Sequence, residues 1–516
     1  MNARLKTYLP FFVATMLLWT ALAIIYPSYQ YYIDPDGVAY LTIASRYAHG
    51  DWATAINGYW SPWSCWLAAI LIKAGMQPIP ASVVINALGA AGFLWISLSL
   101  FIRCGLSRSW HWGLSVSLAV FLCYAVFWQS FDDLWECFFL LAVVRMVLAD
   151  NYCHRPALWV LCGLAGTLAY FAKSYSFPFF ILHITVCTWL LGRHNKVAVL
   201  KPIAVAVIVM IAGSLPWILA LHHKYGIWIT STAGSLNMSW YLVGHPQWKE
   251  GIRILLPPPY PGSPYYWEDP YMVNGPTPHF WNSLHLAGLQ IVRIGLNLGK
   301  LFNSLLQLSV CFPVLLVLVI RRLWVSRKRP QESNPAHIII AISFLLFPLG
   351  YLLINYEARY LWYMLPLGLA IMPEYMGISA SGGKEWRNIA FVCMALVAWP
   401  VWGLFQLNHK GYEDFQLAER LRSGLHGSFA SNVLPGAETQ GIIRTAYFAG
   451  LQYYSNPLHI FDEQQLVREL KYYHINYYIY FPGRDKTDFM LHDEHGQPFP
   501  QTDLGKKDSM KIFIIK

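Results

Sequence analysis

Apolar stretches of about 20 residues, each long enough to cross a bilayer as a helix, recur along this 516-residue chain as far as residue 406. They fall near 8–26, 82–102, 110–130, 134–150, 157–173, 176–192, 198–220, 302–320, 337–354, 360–376 and 388–406. Backbone in lipid must satisfy its own hydrogen bonds, so such runs fold as a helical bundle within a membrane. Composition agrees: 56% of residues are hydrophobic and only 12% charged, against about 25% charged in soluble domains. A soluble enzyme, a disordered chain and a typical nucleic-acid binder are excluded, and no nucleic-acid partner is expected. The reading is a mainly α, polytopic bundle of about eleven spans over residues 1–406. A small extracytoplasmic α/β domain follows over 407–516.

One further apolar run, Pro62–Met76, is only 15 residues long and contains Lys73. It is either a twelfth span or a helix lying in the interface. The positive-inside rule decides between them. If the run does not cross, sixteen Lys and Arg fall on the cytoplasmic side against Asp150, Glu332, Glu374 and Glu385. Crossing would put nearly all that basic charge outside. The expected orientation is therefore N-terminus cytoplasmic, C-terminal domain extracytoplasmic, in an inner (plasma) membrane. The formal net charge of +10 then reads as an orientation signal. Ala21-Leu22-Ala23 has the small-x-small pattern of a signal-peptide cleavage site. The length of that first run and its continuation through Ile24-Ile25-Tyr26-Pro27 favour an anchor.

Three regions then face outward. Residues 27–81 hold short helices over Gly37–Ala48 and Pro62–Met76. Residues 222–300 carry a proline-rich aromatic loop over 257–281 and an interfacial helix over 284–300. In the tail, Glu413–Leu425 and Gln440–Ala449 read as helices. A third helix, Glu463–Tyr473, has Asp462 as its cap and Gln465 placed for a capping box. Ile475–Phe481 and Lys511–Ile515 read as strands. Eight of the nine cysteines lie in or beside spans and none lies in the tail, so no disulfide framework or metal-type motif is formed.

Ionisable groups at span ends are costly and default to functional candidates. Asp34, Asp36, Asp132, Asp133, Glu136 and Glu357 share the outer level with Lys173 and Arg359. In Asp34-Pro35-Asp36-Gly37-Val38-Ala39-Tyr40, Pro35 holds Asp34 extended and Asp36 stands at the start of the next helix. Asp36 is either a helix cap, a preorganised general base, or both. Asp34 is a solvated loop residue or a second ligand for sugar or metal.

These residues resemble those of a known family. Pro35-Asp36…Tyr40 looks like the first outer loop of the GT-C glycosyltransferases, close to the lipid A aminoarabinose transferases and protein O-mannosyltransferases. Gly58-Tyr59-Trp60-Ser61-Pro62-Trp63 resembles the family's Pro-containing interfacial segment. Asp132-Asp133 resembles its second outer acid, and Glu357-Ala358-Arg359-Tyr360 followed by Pro366 resembles its late Arg-Tyr…Pro segment. The resemblance covers roughly residues 10–406.

It implies transfer of a sugar from a polyprenyl-phosphate donor to a hydroxyl acceptor (glycan, lipid or protein) at the outer face. By the same resemblance, Asp36 is the base. Arg359 offers fork-shaped donors for the departing phosphate, with Lys173 as a second candidate. The alternatives are a local Arg359–Glu357 pair and snorkelling of both cations. Asp132, Asp133 and Glu136 are candidates for holding acceptor, sugar or a divalent metal. Tyr40, Glu357, Tyr360 and His222 are further candidates. Where the aminoarabinose transferases carry a metal-binding Glu before the interfacial proline, this chain has Ser61, which puts a copied metal site in doubt. Aromatic residues of 257–281 either stack on sugar or form an interfacial belt. A transporter or flippase, or a non-catalytic binder of lipid-linked glycans, is the alternative function. Transporters place their ionisable groups near the midplane, whereas here they sit at span ends.

Overall fold

The computed structural model describes residues 3–128, 132–192, 196–244, 254–272, 277–328, 334–378, 383–433, 437–456, 462–482, 489–504 and 510–516. The chain begins with the helices α1 (Ala3–Tyr29), α2 (Pro35–Ala48), α3 (Trp52–Ala55), α4 (Trp63–Lys73), α5 (Pro78–Arg103) and α6 (Arg108–Phe127). It continues through α7 (Asp133–Val147), α8 (Pro156–Ala172), α9 (Ser176–Leu191), α10 (Lys196–Tyr225) and α11 (Ala233–Val243). After the proline-rich segment come α12 (Leu284–Leu308), α13 (Phe312–Lys328), α14 (Pro335–Leu346), α15 (Met364–Tyr375) and α16 (Gly383–Leu407). Among the described residues, six helices are long and apolar enough to cross a membrane, or seven if one bent pair is a single span. The helices expected to complete eleven spans include α7, α8, α9 and α15, which are 15, 17, 16 and 12 residues long.

The run Pro62–Met76 forms only the 11 residues of α4, about 16 Å of helix, which is too short to cross. It packs beside α2, as an interfacial helix would. The expected span 302–320 is not continuous. α12 runs from Leu284 to Leu308 and meets the following helix at 114°. The break falls where Ser309 is extended (φ −173°, ψ 145°) and its Oγ accepts from the Cys311 amide. Pro313 then sits in the first turn of α13, where its missing N–H costs nothing. Proline shapes α14 similarly: beyond Leu346 the chain tightens into a 3-10 stretch, Phe347–Leu353, with Pro348 at its start.

The tail forms α17 (Tyr412–Arg422), β1 (Ser428–Ser431), α18 (Ala437–Ala449), β2 (Gln452–Tyr454), α19 (Glu463–Tyr472), β3 (Tyr477–Tyr480), β4 (Gln501–Thr502) and β5 (Lys511–Ile514). The sheet order is β2-β1-β3-β5-β4; β1 is parallel to both β2 and β3, and β5 is antiparallel to both β3 and β4. Asp462 caps α19 by accepting from the Gln465 amide at 3.1 Å, as the sequence predicts. β1 and β2 carry no alternating signal and emerge only in the fold.

This tail does not stand apart from the first outer loop. Ile33, Val38 and Leu41 share one apolar core with Leu421, Phe429 and Ile443. Buried Arg444 binds Asp414 (2.6 Å) and donates to the Ile33 carbonyl (3.2 Å). Gly411 marks the junction, with φ +85° and an open Cα hydrogen facing the Tyr31 carbonyl; a Cβ would stand 2.3 Å from that oxygen. The Gly411→Ala variant should therefore lose about 1–3 kcal/mol. Its tail should become more sensitive to limited proteolysis, and unchanged cleavage rates and thermal unfolding would contradict the account.

Candidate active site

The site is assembled where α2, α7, the α8–α9 break and the segment after Ile354 converge. Asp34, not Asp36, caps α2: its backbone is extended (φ −84°, ψ 169°) and Oδ1 accepts from the Gly37 amide at 2.7 Å. Pro35 takes the first helical position, where its fixed φ suits a helix start. Asp36 is thereby released from capping and presents its carboxylate to Arg359, whose Nη2 lies 2.7 Å from Asp36 Oδ2.

Arg359 engages three acids. Besides Asp36, its Nε lies 2.7 Å from Glu357 Oε2, and its Nη1 is 4.0 Å from Asp133 Oδ2. The local Glu357 pair expected from sequence thus exists alongside the longer-range one. Tyr360 donates to Glu357 at 3.1 Å and stacks on Tyr351, with centroids 4.9 Å apart. Lys173 does not snorkel. α8 ends there in an extended residue (φ −155°, ψ 125°), and the ammonium hydrogen-bonds Asp133, approaches Glu136 Oε2 at 3.9 Å and lies 4.1 Å above the Tyr360 ring centre. Glu136, 1% exposed, also accepts from the Ser176 hydroxyl at 2.8 Å.

Asp132 is held differently. It accepts from the Ser64 amide at 3.1 Å, and the Ser64 and Tyr40 hydroxyls also bind it. It ties α2 and the start of α4 to the head of α7. Tyr40 packs edge-on against Trp60 at 5.0 Å. Among the predicted residues, His222 is not drawn into this cluster: it stacks on Trp228 with ring centres 4.1 Å apart. Among the described residues, no three His, Cys, Asp or Glu side chains are arranged to hold a metal ion. The acids that a divalent ion would use are engaged by Arg359, Lys173, the α2 amide and Ser64, so the residues present do not fit one.

Burial sets the charge behaviour of the α2 acids. It pushes Asp34 up to about 7, with neighbouring Asp36 adding to the rise. Asp36 is also raised, chiefly by burial, while Arg359 pulls it back and Glu357 pushes it further up.

Beside Glu357 and Arg359 opens a cavity of about 490 Å³, lined on its other sides by Tyr124, Trp128, Lys300, Asn303, Gln307 and Trp399. Lys300 was not singled out from the sequence. The signal was there: Gln290, Arg293, Asn297, Lys300 and Ser304 recur at helical spacing in an apolar stretch. Lys300 donates to Asn355 Oδ1 at 2.6 Å, and Asn297 donates to the Leu352 carbonyl at 2.8 Å.

Sequence reading also passed over the residues that pin the proline-rich loop. Buried Glu268 binds Arg46 (2.7 Å), and Asp269 binds Lys224 (3.2 Å) and Tyr225 (2.9 Å). Tyr265 donates to the Pro35 carbonyl at 2.6 Å, directly over the start of α2. Tyr265 and Trp267 are buried in the core beneath, so neither is free to stack on sugar or to line a membrane interface.

No family model and no curated protein matches the sequence, but solved structures match the fold. α-Helical bundle, outer loops and small sheet together make a GT-C-like fold. One match is the crystal structure of ArnT from Cupriavidus metallidurans bound to undecaprenyl phosphate, with TM-score 0.50, 12% identity, and 100% of this chain and 99% of that one covered. Another is the same organism's ArnT in the apo state, with TM-score 0.52, 12% identity, and 93% and 94% covered.

Removing Lys173 would leave Glu136 buried without its cation and Asp133 with only the 4.0 Å approach of Arg359, a loss of about 3–5 kcal/mol for a broken buried pair. Lys173→Met should lower the unfolding temperature of the purified protein, and adding Asp133→Asn should restore part of it. An unchanged temperature in Lys173→Met would contradict the pairing.

Proposed function

We propose that this protein is an integral-membrane glycosyltransferase that moves a sugar from a polyprenyl-phosphate donor to a hydroxyl acceptor on a glycan, lipid or protein. The observation that carries the proposal is the contact of Asp36 with Arg359, an arginine that also lines the cavity. A base and a phosphate-type cation stand together where an apolar bundle meets its outer loops. The fold shared with a transferase solved with undecaprenyl phosphate supports the donor class.

In the reaction, Asp36 takes the proton of the acceptor hydroxyl as that oxygen bonds to the anomeric carbon. The bond from that carbon to the phosphate oxygen breaks, and its electron pair leaves with the polyprenyl phosphate. Arg359 neutralises the charge developing there, which is the largest kind of contribution a preorganised site makes. Lys173 supports it by holding Asp133 and by adding positive potential behind Tyr360. Asp34 aims the base through its cap, and Asp132 fixes α2 to α7. Glu136 anchors Lys173.

The outer-face, inner-membrane placement is supported by the opposite ends of the same helices. Arg103 pairs with Asp150 at 2.8 Å, Arg322 approaches Glu374 at 3.6 Å, and Ser107 bonds Glu385. These pairs join loops far apart in sequence, which supports their sharing the side that the positive-inside rule reads as cytoplasmic.

Asp36→Asn should keep its folded state and lose about 10²–10⁴-fold in transfer rate. In the wild type, activity should fall with acid as Asp36 protonates. Because Asp36 is raised, the midpoint of that fall should lie above about 3.9, the ordinary Asp value. Full activity in Asp36→Asn, or a midpoint at or below the ordinary value, would overturn Asp36 as base.

A further inference from the structure

Arg359 stands between two surroundings. On one side its guanidinium meets Asp36 and Glu357 at 2.7 Å each and approaches Asp133 at 4.0 Å. On the other it borders the cavity that Lys300 also lines. Four carboxylates (Asp36, Asp133, Glu136 and Glu357) face the two cations Arg359 and Lys173. An anion approaching a guanidinium already held by carboxylates gains little until one of them lets go. Lys300 differs, because its hydrogen bond goes to the neutral amide oxygen of Asn355 at 2.6 Å. Among the described residues lining the cavity, it is the cation that no carboxylate holds.

We propose that the donor's isoprenoid-phosphate headgroup lands on Lys300 and takes Arg359 away from Asp36, so that donor binding itself frees the base. The inference rests on the glycosyl-transfer reading of this site. It makes Lys300 a positioning residue and fixes an order: donor first, acceptor second. Held by Arg359, Asp36 is a weaker base than it becomes once freed. Once the phosphate holds the guanidinium, Asp36 is left among Asp34 on its own helix, Glu357 and Tyr360 after the α14 segment, and Asp133 on α7. Tyr59, Tyr241 and Tyr265 face it from the outer loops. All are acids or phenols, so the freed carboxylate gains basicity: in acid it takes a proton from solvent, and at higher pH it stays ionised and ready for the acceptor's proton.

The two anions compete for one guanidinium, and such coupling is reciprocal. Losing an opposite charge within about 4–6 Å raises an acid by about 1–3 pKa units, so binding should be accompanied by proton uptake. Calorimetric titration of the full-length protein in detergent tests this, using a polyprenyl methyl phosphodiester as probe, since it does not itself titrate near neutrality. Runs in buffers of different ionisation enthalpy, from about pH 4 to 7, report protons exchanged per lipid bound. The wild type should take up protons. Asp36→Asn should bind about tenfold tighter, the equivalent of one pKa unit, with no proton uptake. Glu357→Gln should bind more tightly yet keep the uptake. Lys300→Gln should bind about tenfold more weakly with the uptake per bound lipid unchanged.

Wild-type binding without proton exchange overturns the latch while leaving the transfer reading standing, and that titration needs no variant to fold. Asp36→Asn binding no tighter than wild type, or Lys300→Gln binding as well as wild type, also overturns the proposal. Failure of the wild type to bind the probe at all overturns the transfer reading and the latch with it.

Discussion

A guanidinium surrounded by carboxylates at the mouth of an apolar bundle is the contact on which the rest depends. Charges are expensive to remove from water, and they persist only when paired and hydrogen-bonded. Arg359 therefore draws in Asp36 from α2, Glu357 from its own segment and Asp133 from α7. Three chain regions far apart in sequence are fixed relative to one another by the need to neutralise one cation. Lys173 repeats the arrangement one layer deeper, with Asp133 shared between the two. The same economy of charge that folds the site sets a carboxylate beside a guanidinium.

The outer loops hold that geometry from above. Two buried ion pairs, Arg46–Glu268 and Lys224–Asp269, fasten the proline-rich segment, and Tyr265 reaches from it to the Pro35 carbonyl. The tail adds a wall: the Tyr453 amide donates to the Pro264 carbonyl at 2.7 Å, and Glu469 accepts from the Ile254 and Leu255 amides. The first turn of α2 is thus clamped by the bundle on one side and by loop and tail on the other. A carboxylate held this firmly loses little entropy when it acts.

Much of the site was legible because charge is scarce in this chain. Asp36, Asp133, Glu136, Lys173, Glu357 and Arg359 stand out against apolar neighbours, and the span order places them on one level. The sequence leaves Asp36 open as cap, base or both, and the structure gives the cap to Asp34. Asp34 and Asp36 both precede a helix, and only the backbone angles of Asp34 and its bond to Gly37 separate them. Glu268 and Asp269 lay in a stretch whose aromatics and prolines masked them, and Glu268 meets its partner 222 residues away. The break at Ser309 escaped notice because hydropathy does not register a turn of backbone direction. β1 and β2 are four and three residues long, too short for a periodic signal.

The proposed reaction moves one sugar from a polyprenyl phosphate to a hydroxyl outside the membrane. Mass spectrometry of envelope glycans and lipids, from cells with and without the gene, tests it most directly. The account predicts that one sugar mass disappears from an acceptor while its polyprenyl-phosphate form accumulates, and that Asp36→Asn reproduces the loss. Acceptors of unchanged mass, or full restoration by Asp36→Asn, would contradict it.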